Sequence, residues 1–527
     1  MKLLRGSKRA VIFALAVLAV SGAAPSPTGG ALAGPGFTVA VPAGWRALEA
    51  APMAYELSGP GGQAIDLYVR PLGDTAPGDY FNYVNRNILE GAAGAWVTAG
   101  PVGEVAEGGS TELAWERPAL PGCDLNHYLE IVRFESGNVY TFLLRTAAGR
   151  AGADAETARS VAGALRASAV AAPPVRESGD PGRAGVPDPN ARLSASYAGG
   201  RGIEVRLPED GLVWGVFAGG RPGADTDQLR RVEGQLGHHF DLVNTYHDFA
   251  TAFPLDQLRS AASGNRVVLI SWQPFVSGRG LNASSVIVPE IAAGAYDGHI
   301  REWARAAREF GQPVFIRLGN EMNGDWAPWC AWYYSLDPTL FVRAWRRAWS
   351  IFREEGADDV IWVWNPTDVS FPGEPWNEPR LYYPGDRYVD WVGLTAYNNG
   401  RFHPAGWRTF DEIYGPMYLE YRALYPTKPL MITEFSSIEE EGRDKGAWVA
   451  DALRSIKKYP DIRIAVWFNV PDHGGEWDYQ VDSSPGSLRA WVQGIRDPYF
   501  VDGAVRPATR PSGPPPPVPT AAQRRVV

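Results

Sequence analysis

The amino-acid sequence predicts an α/β protein, with a (β/α)8 barrel as its C-terminal domain and a small α+β domain before it. Eight short apolar runs, each followed by a loop and a helical stretch, occupy the second half of the 527-residue chain. Continuous apolar runs that alternate with helices are typical of parallel strands buried on both faces. The tryptophans also divide the chain, because of the 20 present only Trp45, Trp96 and Trp115 precede residue 200.

The predicted barrel strands follow one another along the second half. They are Leu212–Phe217, Phe240–Tyr246, Val267–Trp272, Pro313–Leu318, Val360–Trp364, Val389–Leu394, Pro429–Thr433 and Ile462–Trp467. Helix signals lie between them, and Asp337 is predicted to cap a helix that begins at Pro338 and ends before Gly356. Eight such units favour a (β/α)8 barrel. A doubly wound sheet is the alternative, but that fold does not require eight parallel strands.

The N-terminus has the pattern of a signal peptide, predicted to comprise residues 1–33. Basic residues precede an apolar run, Ala10–Val20, that is too short to span a bilayer, and Ala31 to Ala33 fit a cleavage site. The alternative is an N-terminal membrane anchor. Composition predicts the remaining boundaries, which are a small domain at 34–170, a Pro/Gly-rich linker at 171–200, the barrel at 201–503 and a Pro-rich disordered tail at 504–527.

The small domain shows short alternating strands and helical patterns, which predict an antiparallel sheet with helices. Its opening pattern F-x-V-x-V-P-x-G-W, from Phe37 to Trp45, resembles that of PsbP-like accessory domains. Because no convergent set of catalytic residues is visible within it, the expected role is that of an accessory or binding module.

Several classes of function lack their characteristic residues. The chain has 50 Lys and Arg against 59 Asp and Glu, a net charge of −9, with no basic stripe, which argues against nucleic acid as a partner. The 7 His show no metal-binding spacing, and the phosphate-loop and serine-hydrolase motifs are missing. We therefore expect neither a metal nor a cofactor.

The 2 cysteines, Cys123 and Cys330, fall one in each predicted domain. An exported location would permit a disulfide between the domains. Two free or buried thiols are an equal alternative, because the sequence does not supply the distance between them.

Two glutamates are predicted to face each other across the mouth of the barrel. Glu321 follows the fourth strand and Glu434 ends the seventh, and reactive groups in this fold lie at the C-terminal ends of strands. Period-two alternation places Arg317 on the same face as Glu321, and Ile432 on the same face as Glu434. Two carboxyls in one mouth suit glycoside hydrolysis, in which one protonates the leaving oxygen while the other attacks the anomeric carbon.

Tryptophans accompany these glutamates in the sequence. Trp326, Trp329 and Trp332 follow the fourth strand, while Trp272 and Trp467 end the third and eighth strands. Sugar rings have apolar faces that stack on indoles. The combination of mouth glutamates with tryptophans therefore predicts a carbohydrate site.

Four segments carry a resemblance to glycoside hydrolase family 26, which contains β-mannanases and lichenases. They are GNEMNGDWAPW (319–329), YYPGDRYVDWVGLTAYN (382–398), KPLMITEFS (428–436) and AVWFN (465–469). The resemblance implies that Glu321 is the acid/base and Glu434 the nucleophile of a retaining reaction. It also implies that Tyr397 hydrogen-bonds the nucleophile and that Trp467 is the platform under the sugar.

Further residues are expected around this pair. Arg317 would add positive charge beside the carboxylates and favour an ionised nucleophile. His247, Asp248 and Trp272 are expected to line the donor-side subsites. A retaining reaction requires the two carboxyls to lie ~5–5.5 Å apart.

One position departs from the family pattern. Asn320 precedes the acid/base where family members commonly have His. Asn-Glu is the wider clan pattern, in which the amide contacts the sugar 2-hydroxyl, and that hydroxyl is axial in mannose but equatorial in glucose and xylose. The departure therefore puts mannan specificity in doubt.

The sequence as a whole predicts a secreted, monomeric, retaining endo-β-glycanase that hydrolyses a polysaccharide such as β-mannan. Alternatives on the same barrel are a β-1,3-1,4-glucanase, a xylanase or an exopolysaccharide hydrolase. The alternative of a different class is a catalytically idle carbohydrate-binding barrel. Contact with a cell wall or cell surface through the N-terminal domain or the basic C-terminal tail is a further expectation.

Overall fold

The computed structural model describes residues 30–51, 54–72, 96–100, 108–117, 124–168, 196–199, 203–207, 211–219, 227–279, 284–334, 336–371, 373–403, 405–500 and 506–507. It shows the predicted fold class, which is a closed parallel barrel preceded by a separate sheet domain. Within the described residues no helix has both the length and the apolar character needed to cross a membrane.

The small domain is built on a seven-stranded antiparallel sheet with a second, smaller sheet beside it. Its elements in chain order are β1 (Ala31–Gly34), β2 (Phe37–Ala40), β3 (Arg46–Ala51), β4 (Ala54–Ser58), β5 (Ala64–Pro71), β6 (Trp96–Ala99), β7 (Ser110–Glu116), β8 (His127–Glu135), β9 (Asn138–Thr146), α1 (Ala151–Gly163) and β10 (Arg166–Ala167). The large sheet has the order β3-β4-β5-β9-β8-β7-β6, and β1, β2 and β10 form the small one.

Both faces of the large sheet are apolar. One face, with Leu67, Ile131 and Phe142, shares a core with Val161 of α1. The opposite face, with Trp115 and other large side chains, joins the core of the barrel domain. Because a sheet buries its hydrophobic faces against neighbouring layers, the two domains pack against each other.

The barrel closes from eight parallel strands in sequence order. They are β13 (Val213–Phe217), β14 (Leu242–Asp248), β15 (Val267–Gln273), β16 (Val314–Leu318), β17 (Val360–Trp364), β18 (Trp391–Asn398), β19 (Leu430–Ser437) and β20 (Ile462–Phe468). All eight predicted strands are present, and β18 and β19 extend several residues beyond their predicted ends. These extensions lengthen the walls of the mouth.

Helices surround the barrel. They are α2 (Asp227–Leu236), α3 (Leu255–Ser263), α4 (Ile287–Ala293), α5 (Asp297–Phe310), α6 (Pro338–Glu354), α7 (Phe410–Leu424), α8 (Lys445–Ser455) and α9 (Pro485–Gly494). The predicted cap of α6 is confirmed, because Asp337 accepts a hydrogen bond from the Thr339 backbone N–H at 2.9 Å. A hairpin of β21 (Pro471–Asp472) and β22 (Trp477–Asp478) follows β20 at the mouth.

Side chains alternate between the barrel interior and the helix layer. The interior contains alternate residues of successive strands, which are Val213, Leu242, Val267, Leu269, Phe315, Ile361, Val363, Trp391, Met431, Ile464 and Val466, with Leu207 beside them. The intervening residues, such as Trp362, pack outward against helices. This alternation decides which strand residues reach the mouth.

Short strands occur near three of the predicted domain boundaries. Ala31–Gly34, which contains the predicted cleavage site, pairs with β2 as β1. Strand β11 (Ser196–Gly199) lies within the predicted linker and pairs with β12 (Ile203–Arg206). Strand β23 (Arg506–Pro507), within the predicted tail, also pairs with β12. Residues 1–29 lie outside the described residues, so the signal peptide stays a prediction, as does the PsbP-like identity of the small domain.

Candidate active site

Glu434 reaches the barrel axis through a β-bulge. In β19 Met431 points inward and Ile432 outward. Ile432 pairs with Leu394 of β18, whereas Glu434 pairs with the next residue, Thr395, which leaves Thr433 as the extra residue. A bulge of this kind bends the strand and redirects a side chain. The prediction that Ile432 and Glu434 share one face is therefore wrong, although Glu434 does point into the mouth.

The Glu434 carboxylate accepts hydrogen bonds from three side chains. The Arg317 guanidinium and the Tyr246 hydroxyl donate to Oε1, the latter at 2.5 Å. The Tyr397 hydroxyl donates to Oε2 at 2.5 Å, as the resemblance implied. Glu434 as a whole is 4% exposed. A buried acid surrounded by donors and a guanidinium is held in one orientation.

Arg317 is held under Glu434 by a polar layer inside the barrel. Its side chain is fully buried. Its Nε donates to Ser271 Oγ at 2.7 Å, and one terminal nitrogen donates to Asn365 Oδ1 at 2.9 Å. These bonds use alternate residues of neighbouring strands, which point to the same interior level. Arg317 therefore acts from a rigid position.

Glu321 lies in the loop after β16 rather than in the strand. Its φ is +58°, a left-handed conformation that is costly for a residue with a side chain. Its backbone N–H donates to the Asn365 carbonyl at 2.7 Å. Gly319 has φ +56°, and a Cβ there would lie 2.8 Å from the ring of Phe341. The turn out of the strand therefore requires glycine and places Glu321 at the mouth.

The environment of Glu321 favours its protonated form. Burial and the charge of Glu434 raise the pKa of Glu321 to about 8, while Arg317 and a hydrogen bond from Trp326 act in the opposite direction. The Trp326 indole N–H donates to Glu321 Oε2 at 3.1 Å. A carboxyl that stays protonated near neutral pH beside a second, donor-bound carboxylate is the arrangement of an acid and a nucleophile.

The tryptophans that follow β16 differ in role. Trp326 is 44% exposed and lies at the lip of the mouth. Trp329 is buried, and its indole N–H donates to the Asn320 carbonyl at 2.6 Å, so it supports the loop. Asn320 Oδ1 accepts a hydrogen bond from Gln273 Nε2 at 3.2 Å. Of the predicted subsite residues in this loop, Asn320 and Trp326 contact groups at the mouth.

Three predicted binding residues face the helix layer instead of the mouth. Trp272 is fully buried and stacks on Trp303 of α5 at 4.2 Å. His247 also packs against Trp303, and burial lowers the pKa of its imidazole to about 4. Trp467 is 1% exposed and packs edge-on against Trp491 of α9. The strand alternation turns all three outward, so their prediction as sugar-contacting residues is wrong.

Asp248 anchors a loop at the same end of the barrel. Its carboxylate accepts hydrogen bonds from the backbone N–H groups of Ala250 and Ser277, at 3.0 and 2.8 Å. Burial would raise the pKa of Asp248, but these hydrogen bonds lower it below its usual value. The contacts are those of a residue that joins the loops after β14 and β15.

Sequence reasoning missed three aromatic residues of the mouth. Tyr246 donates to Glu434, and the interior alternation of β14 could have identified it in place of His247. Phe468, the residue after Trp467, lies 5.9 Å from the ring of Tyr397. The ring of Tyr479 lies 5.0 Å from that of Tyr397 and 5.8 Å from that of Phe468. Tyr479 lies beyond the strand, so no periodicity indicated it.

Within the described part of the chain, no group of three or more His, Cys, Asp or Glu side chains could hold a metal ion. Cys330 is a buried free thiol whose Sγ lies 3.5 Å from the Glu321 carbonyl. Burial raises the pKa of this thiol well above its usual value. Cys123 lies outside the described residues, so a partner for it stays untested.

Comparison with known proteins relates the barrel to one family of carbohydrate-active proteins. Residues 291–423 match Glycosyl hydrolase family 26. Endoglucanase H of Acetivibrio thermocellus is 29% identical over 298 residues, which cover 54% of this chain and 30% of that protein. Mannan endo-1,4-beta-mannosidase A and B of Caldalkalibacillus mannanilyticus is 37% identical over 184 residues, which cover 33% and 32%. Beta-1,3-xylanase TXYA of a Vibrio species is 26% identical over 36% of this chain and 39% of that protein. The chain thus spans about a third of the length of these curated relatives.

Proposed function

Because the barrel of this chain belongs to glycosyl hydrolase family 26, we propose that the protein is a retaining endo-β-glycanase that hydrolyses a β-linked polysaccharide. The observation that carries the proposal is the Glu434 carboxylate, which three donors hold at the same mouth as a protonated Glu321. Each of the two carboxyls has the environment that one step of a double displacement requires.

Glu434 is the nucleophile in this proposal. One of its oxygens attacks the anomeric carbon, forming a glycosyl ester while the bond to the leaving oxygen breaks. Tyr246 and Arg317 donate to Oε1 and Tyr397 to Oε2. Those bonds orient the carboxylate and exclude rotamers that point away from the sugar.

Glu321 is the acid and then the base. It transfers its proton to the leaving oxygen in the first step. Once Glu434 is esterified, its negative charge no longer raises the pKa of Glu321. The acid strength of Glu321 therefore increases after the first step, and its carboxylate can take a proton from the water that releases the sugar.

We propose a substrate with an equatorial 2-hydroxyl, such as a β-glucan or β-xylan. Asn320 supports this, since its amide is fixed by Gln273 beside the acid/base and offers a donor and an acceptor to that hydroxyl. β-Mannan is the second candidate, which the 37% identity to the mannan endo-1,4-beta-mannosidase favours.

Reducing-sugar release from mixed-linkage β-glucan, xylan, β-mannan and a bacterial exopolysaccharide tests the proposal. Wild-type protein is compared with Glu434→Gln, Glu321→Gln and the exposed control Glu302→Gln on α5. We expect release from one polymer with wild type and control, and its loss in both active-site variants. Proton NMR of the first product should show the β-anomer. Activity that survives Glu434→Gln would contradict the assignment of Glu434 as the nucleophile. If folded wild-type protein released no reducing sugar from any polymer, a catalytically idle carbohydrate-binding barrel would be favoured.

We further propose that the protein is exported through its N-terminal 33 residues and acts as a monomer outside the cell. The basic run followed by Ala10–Val20 supports export. Expression of the full chain in a bacterial host, with and without residues 1–33, tests this. The full chain should appear in the medium or cell envelope, shortened at its N-terminus, and the truncated chain should stay in the cytoplasm.

A further inference from the structure

The face of the small domain's sheet opposite the one that α1 covers packs on the barrel domain. Its buried side chains belong to the same continuous apolar core as the barrel helices, and they include Tyr68, Leu113, Trp115, Tyr128, Val132 and Phe134. An apolar sheet face needs a covering layer, and here the barrel domain supplies it. The two domains therefore form one packed unit.

The small domain contacts the loop that carries Glu321. We call residues 319–334, between β16 and α6, the acid/base loop. Arg117, which follows β7, donates through its terminal nitrogen to the Tyr333 carbonyl at 2.8 Å. The Tyr333 hydroxyl in turn donates to the Asp325 carbonyl at 2.5 Å. The next residue, Trp326, donates to Glu321. Three hydrogen bonds thus connect the small domain with the acid/base carboxyl.

A second connection runs through the loop after β17. Arg70 of β5 donates to the Gly373 carbonyl at 3.1 Å. That loop holds Asn323 of the acid/base loop, because the Phe371 N–H and the Asn377 side-chain amide both donate to the Asn323 carbonyl, at 2.9 and 2.8 Å. Trp332 and Trp376 stack across the two loops with centroids 6.1 Å apart. The loop after β17 therefore relays contact with the small domain to the acid/base loop.

A third connection fixes the end of the acid/base loop. Arg145 of β9 is buried and bridges Asp66 of β5 to Asp337, the residue that caps α6. Truncating one member of a buried ion pair leaves the other charge uncompensated, so such a contact tolerates little displacement. The small domain thus contacts the acid/base loop at Tyr333 near its C-terminal end, the neighbouring loop at Gly373, and the start of the following helix at Asp337.

We propose that the small domain is a positioning element for the acid/base, rather than a separate carbohydrate-binding module. The physical need arises from Glu321, whose left-handed backbone persists only when surrounding contacts impose it. The inference rests on the proposed glycanase activity for its kinetic consequence. Arg117 and Tyr333 act through the acid/base loop and do not touch the sugar, so they are positioning residues.

Leaving-group dependence separates positioning of the acid from general structural damage. Two aryl β-glycosides that differ only in leaving group are used, carrying the glycone of whichever polymer the wild type hydrolyses. Phenolate needs protonation to leave, whereas 2,4-dinitrophenolate leaves without it. Arg117→Met and Tyr333→Phe should lower kcat/KM for the phenyl substrate about 10-fold or more, since misplacement of about 1 Å can cost that much. For the dinitrophenyl substrate the change should stay within about 2-fold.

The control is Arg159→Met, which removes an arginine from the far side of the small domain, where it pairs with Glu112. It should leave both substrates at the wild-type rate. The proposal would be overturned if Arg117→Met and Tyr333→Phe lowered kcat/KM equally for both substrates, or did not lower it for either. Tyr333→Phe keeps the Arg117 contact and serves if Arg117→Met does not fold.

Hydrogen–deuterium exchange gives a readout that does not depend on activity. In Arg117→Met the amides of residues 319–334 should exchange faster than in wild type, and in Arg159→Met they should not. Unchanged exchange in Arg117→Met would overturn the positioning role even if the wild type hydrolyses nothing. Inactivity of the wild type with faster exchange in Arg117→Met would contradict the glycanase proposal alone.

Discussion

The guanidinium of Arg317 lies beneath the carboxylate of Glu434 and donates to its Oε1, with side-chain exposures of 0% and 5%. The two residues come from β16 and β19, on opposite parts of the barrel wall. Burial acts to lower the pKa of Arg317, but the charge of and hydrogen bond to Glu434, together with Tyr246 and Glu321, outweigh it and raise that pKa above its usual value. The pair is therefore a charged contact built into the floor of the mouth.

Arg317→Met is expected to destabilise the protein by about 3–5 kcal/mol, because it leaves a buried carboxylate without its counter-charge. Urea unfolding monitored by tryptophan fluorescence measures this. The double variant Arg317→Met/Glu434→Gln should recover part of the lost free energy of unfolding, since the unpaired charge is then gone. A double variant less stable than Arg317→Met would show that the charge pair is not the cause.

Tyr246→Phe and Tyr397→Phe each remove one hydroxyl donor from Glu434. Loss of a hydrogen bond to a charged group costs about 1.5–3 kcal/mol, so each variant should lower kcat/KM about 10- to 100-fold. The double variant should lose less than the product of the two, since both act on one group. Tyr418→Phe, whose hydroxyl donates to Asp461 instead, is the matched control and should keep full activity.

The raised pKa of Glu321 predicts the alkaline limb of the pH profile. The general acid must be protonated, and its pKa is about 8, so kcat/KM should fall as pH rises through about 8. The folded state also favours the protonated carboxyl, so its contribution to stability is present below the usual carboxyl range and is lost as pH rises through 8. Glu321→Gln should therefore be more stable than wild type at pH 9. A fall of kcat/KM on the alkaline side already near pH 5 would contradict the assignment of Glu321 as the general acid.

The buried carboxyl of Glu130 should make the stability of the domain interface depend on pH. Burial and the charge of Glu374 raise its pKa to about 8, while Arg70 acts to lower it. Deprotonation is thus disfavoured in the folded state, and the stability that Glu130 contributes at acid pH is lost as pH rises through 8. The melting temperature of Glu130→Gln should approach that of wild type near pH 5 and exceed it at pH 9. The exposed control Glu156→Gln should follow wild type at both values.

Substitution of the exposed tryptophan should affect substrate binding, whereas substitution of the buried tryptophans should affect stability. Trp326→Ala removes an exposed indole at the lip, so KM should rise while the free energy of unfolding stays within about 0.5 kcal/mol of wild type. Trp272→Ala and Trp467→Ala remove buried indoles and should each cost about 3–5 kcal/mol of stability. Kinetics and urea unfolding of the three variants check this. A large KM effect of a fully folded Trp467→Ala would restore its prediction as a sugar platform.

Much of the architecture was predictable because it depends on local pattern. Apolar runs between helices specified eight strands in order, and Asp337 with Pro338 specified the start of α6. The position of Glu321 and Glu434 at strand ends followed from the same pattern. These features depend on residues near one another in the chain, where hydrogen bonding and periodicity act.

The facing of individual side chains depended on strand register. Trp272, His247 and Trp467 face outward. To predict this, one must know which alternate residues of each strand face the barrel interior, and a nearly continuous apolar run does not reveal it. Glu434 faces inward only because Thr433 is an extra residue in β19. A bulge depends on how a strand pairs with its neighbours, which the sequence does not show. Period-two alternation alone therefore predicted, wrongly, that Glu434 shares a face with Ile432.

The sequence by itself determined the two-part fold, the two mouth glutamates and the resemblance to a hydrolase family. Only the tertiary structure decided that Tyr246 shares Glu434 with Tyr397 and that Arg117 contacts the acid/base loop. Arg117 and Tyr333 are separated by 216 residues. Contacts between such distant residues are set by how whole sheets and barrels pack, and that packing is a collective result of many buried side chains.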